Sequence, residues 1–127
     1  MLETYFQGLL DAIAASPIVR LHDVTLDKRA PRAGLIRGDL YFADSSRLHF
    51  RELVEFQADV VRLRYSYHYQ RADHSLIFRY DDTAHYPDLP DFPHHKHVGD
   101  ETTLVSALPP DLRAVLLEIE TTYPLGE

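Results

Sequence analysis

The sequence predicts an α+β fold: a curved antiparallel sheet of about five strands packed on a helix from each end of the chain. Three observations predict it. Apolar residues repeat at helical spacing near both termini. Between them the apolar period falls to two. The links between those period-two segments are short, which joins neighbouring strands as hairpins rather than through crossovers. At 127 residues the chain fits a single domain, 1–127, long enough to bury a core without staples.

Leu2, Tyr5, Phe6, Leu9, Leu10 and Ile13 form one continuous stripe at helical spacing, so a helix is predicted over 1–15. Ser16-Pro17 ends it, because a residue before proline disfavours the helical region. The sheet is predicted over 18–81. Its strands are Ile18 to Leu26, Leu35 to Phe42, Leu48 to Phe56, Val60 to Gln70 and Leu76 to Asp81. Asp44-Ser45-Ser46 reads as a turn, and Gln57-Ala58-Asp59 and Arg71-Ala72-Asp73 as short links. Over 82–108 neither period survives, and Pro87, Pro90 and Pro93 punctuate the segment. It is predicted to be a long Pro/His-rich functional loop. Pro109-Pro110-Asp111 is a helix start. Leu112, Val115, Leu116 and Ile119 then predict a helix over 109–121.

The chain has no cysteine, which excludes disulfides and thiolate metal sites and suits a reducing cytoplasm. No apolar run approaches the ~20 residues of a membrane span. The N-terminus lacks a basic n-region, so no signal peptide is expected. A net charge of −7 weighs against nucleic-acid binding, but its distribution does not. Arg20 to Tyr80 carries 11 Lys/Arg against 8 Asp/Glu, and Asp81 to Glu127 carries 2 against 10. A mildly basic middle permits a local anion site on an acidic protein.

The strand "VRLRYSYHYQ" alternates. Val61, Leu63, Tyr65, Tyr67 and Tyr69 point one way; Arg62, Arg64, Ser66, His68 and Gln70 point the other. A two-residue turn at Ala72-Asp73 would pair Tyr67 with Phe78, Ser66 with Arg79 and Arg64 with Asp81. Pairing Phe56 with Val61 would set His49 opposite His68, Arg51 opposite Ser66 and Glu55 opposite Arg62. One face then collects His49, Arg51, Arg64, Ser66, His68, Arg79 and Asp81. A solvated face with weak surface ion pairs is the plainer alternative. Its composition argues for chemistry: arginine is the planar anion binder, and histidine moves protons near neutral pH.

"PHHKHVGDE" supplies His94, His95, Lys96 and His97, with His85 nearby. Pro90 and Pro93 are expected to stiffen this arm. Phe92 is expected to anchor it, so that it reaches the Arg64/His68/Arg79 face. Imidazoles can hold zinc, but the helical H-E-x-x-H pattern is missing and Lys96 adds positive charge.

"RLRYSYHYQRADHSLIFRYDD", then "AHYPDLPDFPHHKHVGDE", then a C-terminal helix, resembles the TumE-type family of small toxins from prokaryotic toxin–antitoxin modules. The blocks "YHYQ", "FRYD" and "PHHKH" carry the resemblance together. Asp82 departs from an expected Asn, and Asp44-Ser45 from an expected Asp-Gly turn. The resemblance implies a cytoplasmic growth-inhibiting protein encoded beside a DNA-binding, helix-turn-helix antitoxin. It leaves homodimerisation open and brings no settled active site.

The chemistry of the residues, taken with that resemblance, gives a metal-independent endoribonuclease without a cofactor. His68, His95 and His97 supply base and acid, and Arg64, Arg79 and Lys96 stabilise the phosphate charge. Arg51, Ser66, Tyr67 and His94 contact the RNA, Tyr67 by stacking if exposed, though parity puts it in the core. One alternative is a metal-dependent nuclease or phosphohydrolase using His94, His95 and His97 with His85 or Asp81. Another is a non-enzymatic inhibitor that binds a cellular target.

Overall fold

In the computed structural model, which describes residues 1–123, the N-terminal stripe forms helix α1, Leu2–Ala15. Five strands follow: β1 Val19–Ala30, β2 Ala33–Phe42, β3 Arg47–Phe56, β4 Val60–Gln70 and β5 Leu76–Asp81. The segment expected to be a loop holds two more, β6 His95–Val98 and β7 Leu104–Ser106. Helix α2, Leu112–Thr122, begins where Asp111 accepts a hydrogen bond from the Ala114 amide at 2.8 Å. The sheet therefore has seven strands rather than about five. They run in sequence order, each antiparallel to the next.

Both helices cover one face of this open sheet. Leu9 and Ile13 of α1 and Leu112, Val115 and Ile119 of α2 join Leu40, Phe50, Tyr67 and Phe78 in one core. Gly38 lies under Phe50, where a Cβ would stand 3.0 Å from the ring and 2.8 Å from Val24. At the β2–β3 turn Ser45 holds a φ of 66°, the left-handed conformation that glycine adopts without strain. Among the described residues no helix is long and apolar enough to cross a membrane.

Two registers differ from expectation. Between β4 and β5 the pairs are Tyr69↔Phe78, His68↔Arg79, Tyr67↔Tyr80 and Ser66↔Asp81, two residues from the predicted Ser66–Arg79 and Arg64–Asp81. The connection is longer than a two-residue turn, and Arg71 and Ser75 close it through a backbone hydrogen bond. A shift of two preserves the faces, so the same side chains still share a side.

Between β3 and β4 the predicted His49↔His68 and Arg51↔Ser66 pairs form, but a bulge follows. Leu53 pairs with Arg64 and Val54 with Arg62, leaving Leu63 unpartnered and 43% exposed. Glu55 consequently faces Val61, not Arg62, and Phe56 faces Val60, not Val61. The extra residue turns Arg62 to the helix side. There its guanidinium lies 4.3 Å over the Tyr65 ring, and Nη1 donates to the Tyr67 hydroxyl and the Pro110 carbonyl, each at 2.6 Å.

Tyr67 in turn donates to Glu52 Oε2 at 2.6 Å, and the Tyr5 hydroxyl donates to Glu52 Oε1. Glu52 is wholly buried. Its carboxylate satisfies both oxygens within a network joining α1, β3, β4 and the start of α2. Burial first, then the Glu52 charge, pushes the Tyr67 hydroxyl far above the usual phenol range, so it stays a donor.

Candidate functional site

The face away from the helices is organised by register into rows that cross the strands. One runs Asp39, His49, His68, Arg79, His97 from β2 to β6. The next runs Arg37, Arg51, Ser66, Asp81, His95, Ser106 from β2 to β7. Adjacent strands lie roughly 4.8 Å apart, so neighbours in a row are in side-chain reach.

In the first row, His49 Nδ1 lies 3.0 Å from Asp39 Oδ1. A carboxylate only accepts, so Nδ1 carries the proton and Nε2 has no side-chain partner among the described residues. His68 is half-buried and makes no side-chain hydrogen bond among the described residues. Its pKa is held below the usual imidazole value, first by burial and then by the Arg79 charge, with His49 and Arg47 adding smaller pushes. A neutral, unbonded imidazole thus stands beside a carboxylate-oriented one.

Arg79 is clamped on three sides. Nε donates to Asp81 Oδ2 at 3.0 Å, Nη1 to Glu101 Oε1 at 2.8 Å, and Nη2 to His97 Nε2 at 2.9 Å. His97 Nδ1 donates to the Glu101 carbonyl at 2.9 Å, so its ring is neutral with its lone pair given to Arg79. Burial, and then Arg79, hold its pKa low against that carbonyl bond. His95 directs Nδ1 to the Pro93 carbonyl at 3.0 Å and Nε2 to Asp81 Oδ1 at 2.8 Å.

His95 and His97 are each only 2% exposed. Tyr86 closes over them, its ring centroid 5.0 Å from His95 and 6.1 Å from His97. The expectation that both present themselves on a loop arm is corrected: they are strand residues under a cover. Phe92, the expected anchor, is 43% exposed, and Tyr86 takes that place.

Two further expectations, for Lys96 and Tyr67, are corrected. Lys96 alternates to the helix side of β6, where Nζ bonds Glu118 Oε2 at 2.6 Å and lies 4.7 Å from the Tyr80 ring centre. It is therefore not beside the histidines and arginines of the outer face. Tyr67 is fully buried and offers no stacking surface. His94 stacks on Tyr65 at 5.8 Å, with Nδ1 2.9 Å from its hydroxyl.

The metal-ligand set His94, His95, His97 and His85 is not assembled either, since His85 is exposed and His94 is on Tyr65. The donor atoms of Asp81, His95 and His97 do converge within 4.8 Å. The Arg79 guanidinium occupies the His97 lone pair that a cation would need, and His95 Nε2 already bonds Asp81. These donors fit a closed hydrogen-bond network better than a cation.

Beside the rows lies a cavity of about 420 Å³, bordered by Arg29, Leu35, Arg51, Leu53, Arg64 and Ser66. Arg64 belongs here rather than against Arg79. The roles of Asp39, His49, Glu101 and Tyr86 were not foreseen. Parity puts Asp39 and His49 on one face, but carrying the Asp44-Ser45-Ser46 turn through to a register sets His49 against Tyr41, two residues from the Asp39 it meets. Nothing local marks Tyr86.

A family model described as Toxin TumE matches residues 9–123, nearly the whole chain. No curated protein and no solved structure matches.

Proposed function

This chain belongs to the TumE toxin family, and from that premise we propose that it is the toxin of a type II toxin–antitoxin module and cleaves RNA without a metal. The observation that supports this best is the His49↔His68 pair on the open sheet face, with Asp39 behind His49 and Arg79 beside His68. Two imidazoles in different settings, one unbonded and one held by a carboxylate, are what acid–base cleavage of a phosphodiester requires.

In this reading His68 takes the proton of a ribose 2′-hydroxyl. The oxygen attacks the adjacent phosphorus, and the bond to the 5′-oxygen breaks. His49 Nε2–H gives its proton to that leaving oxygen, and Asp39 stabilises the imidazolium in its protonated phase. The products are a 2′,3′-cyclic phosphate and a free 5′-hydroxyl. Arg79 stabilises the phosphorane-like charge. His97, His95 and Asp81 position Arg79 from below.

Arg37 and Arg51 face each other directly across β2 and β3. Like charges so placed destabilise a sheet, and an anionic ligand relieves the repulsion. The neutralising partner in this reading is a cognate antitoxin with a helix-turn-helix DNA-binding domain, and the setting is the cytoplasm. A second reading, a metal-dependent hydrolase, draws on the convergence of Asp81, His95 and His97.

The test is incubation of purified protein with a defined RNA in excess chelator, with the product ends identified. Cyclic phosphate and 5′-hydroxyl ends at an undiminished rate are expected. Loss of cleavage with chelator, or products with 5′-phosphate ends, would overturn the metal-free mechanism.

A further inference from the structure

The arginines of the outer face differ in what they already hold. Arg79 is bonded to Asp81, Glu101 and His97, and Arg29 Nε lies 3.0 Å from Asp27. Arg51 and Arg64 are exposed and have no carboxylate within 4.0 Å among the described residues. Both border the cavity of about 420 Å³ beside the histidine row. Across it, Leu35 and Leu53 are Cα partners on β2 and β3, placing an apolar patch on an otherwise polar face. Two carboxylates also border the cavity, but both have partners. Asp81 holds His95, Arg79 and the Thr83 amide, and Asp82 accepts from the Tyr65 amide.

We propose that this cavity binds one nucleotide unit, with the phosphate on Arg51 and Arg64 and the base against Leu35 and Leu53. Unpaired guanidiniums in a concave wall recognise phosphate, and leucine side chains give a flat base an apolar seat. The volume is near the lower end of the roughly 300–1,000 Å³ range of ligand sites, which suits one nucleotide and excludes a duplex. The Arg51–Ser66 pair is two residues along the strands from His49–His68, roughly 7 Å. The bound unit is therefore a neighbour of the cleaved linkage, and the pocket sets sequence preference. That last step rests on the ribonuclease reading; the binding itself does not.

The experiment uses the full chain carrying His68→Gln, titrated with each of the four ribonucleoside 5′-monophosphates and with inorganic phosphate, followed by NMR. At least one nucleotide is expected to bind about tenfold more tightly than inorganic phosphate. Arg51→Gln and Arg64→Gln should each weaken it about tenfold, as loss of a charge-assisted hydrogen bond does. Leu53→Asn should weaken nucleotide binding and spare phosphate binding. Arg113→Gln, on α2, should change neither. Equal affinity for phosphate and all nucleotides, or binding indifferent to Arg51→Gln and Arg64→Gln, would overturn the proposal. If RNA is never cleaved yet nucleotides bind as described, the pocket stands and the ribonuclease reading falls. If RNA is cleaved but no nucleotide binds better than phosphate, the pocket falls and the ribonuclease reading stands.

Discussion

His97 Nε2 accepts a hydrogen bond from Arg79 Nη2 across 2.9 Å, while Nδ1 of the same ring donates to the Glu101 carbonyl. Both nitrogens are thereby committed. His97 has no proton to give and no lone pair to spare, and it is buried under Tyr86. It fixes the guanidinium beside His68, and in the proposed mechanism the acid–base pair is therefore His49 and His68.

Replacing His68 with Gln should lower RNA cleavage by about 10²–10⁴-fold, the range of a lost general base. The thermal midpoint should change little, because His68 makes no side-chain hydrogen bond among the described residues. Single-turnover cleavage and a melting curve on the same preparation check both statements. A variant as active as the parent removes His68 from the mechanism.

Acid should act on rate and on stability in the same direction. The pKa values of His68 and His97 are depressed in the folded chain. Below about pH 6.5, the ordinary imidazole value, the unfolded chain therefore binds more protons. The contribution of these residues is present above that value and is lost as pH falls through it toward the folded pKa. The acid limb of kcat/KM should accordingly lie below about pH 6.5. Arg79→Gln should move that limb upward by removing the neighbouring charge, while the part due to burial remains. A limb unmoved by Arg79→Gln would detach it from His68.

Tyr67→Phe should destabilise the fold by about 1–3 kcal/mol, since it leaves Glu52 Oε2 without its donor and Arg62 with one acceptor fewer. The denaturant midpoint should fall with an unchanged slope. Cleavage per folded molecule should not change, because this hydroxyl lies on the helix side of the sheet.

Glu101 is a 54% exposed carboxylate held on Arg79 at 2.8 Å. A substrate phosphate reaching Arg79 must displace it. Glu101→Gln should lower KM for RNA several-fold at low salt, and the gain should shrink as salt rises. An unchanged KM would mean that Arg79 does not meet the substrate phosphate.

Counting along the chain was enough to place the helices at both ends, the five long strands and the side of the sheet on which His49, Arg51, Ser66, His68 and Arg79 stand. Periodicity is local: a residue's face follows from its position along its own strand. Even the two-residue error in the β4–β5 register left those faces intact, because it preserved parity. Folding in three dimensions settled what parity cannot reach. The bulge at Leu63 sent Arg62 to the helix side, and whether a strand bulges depends on how its partner packs. The "HHKH" segment was unreadable as a strand because both of its faces are polar. His95 and His97 find Asp81 and Arg79, and Lys96 finds Glu118, so burial is satisfied by hydrogen bonds and no apolar alternation is left to read. Those partners are distant in sequence, as Tyr86 is from His97. Only the folded chain, which closes these long loops, brings the side chains into contact and separates the open imidazoles from the covered ones.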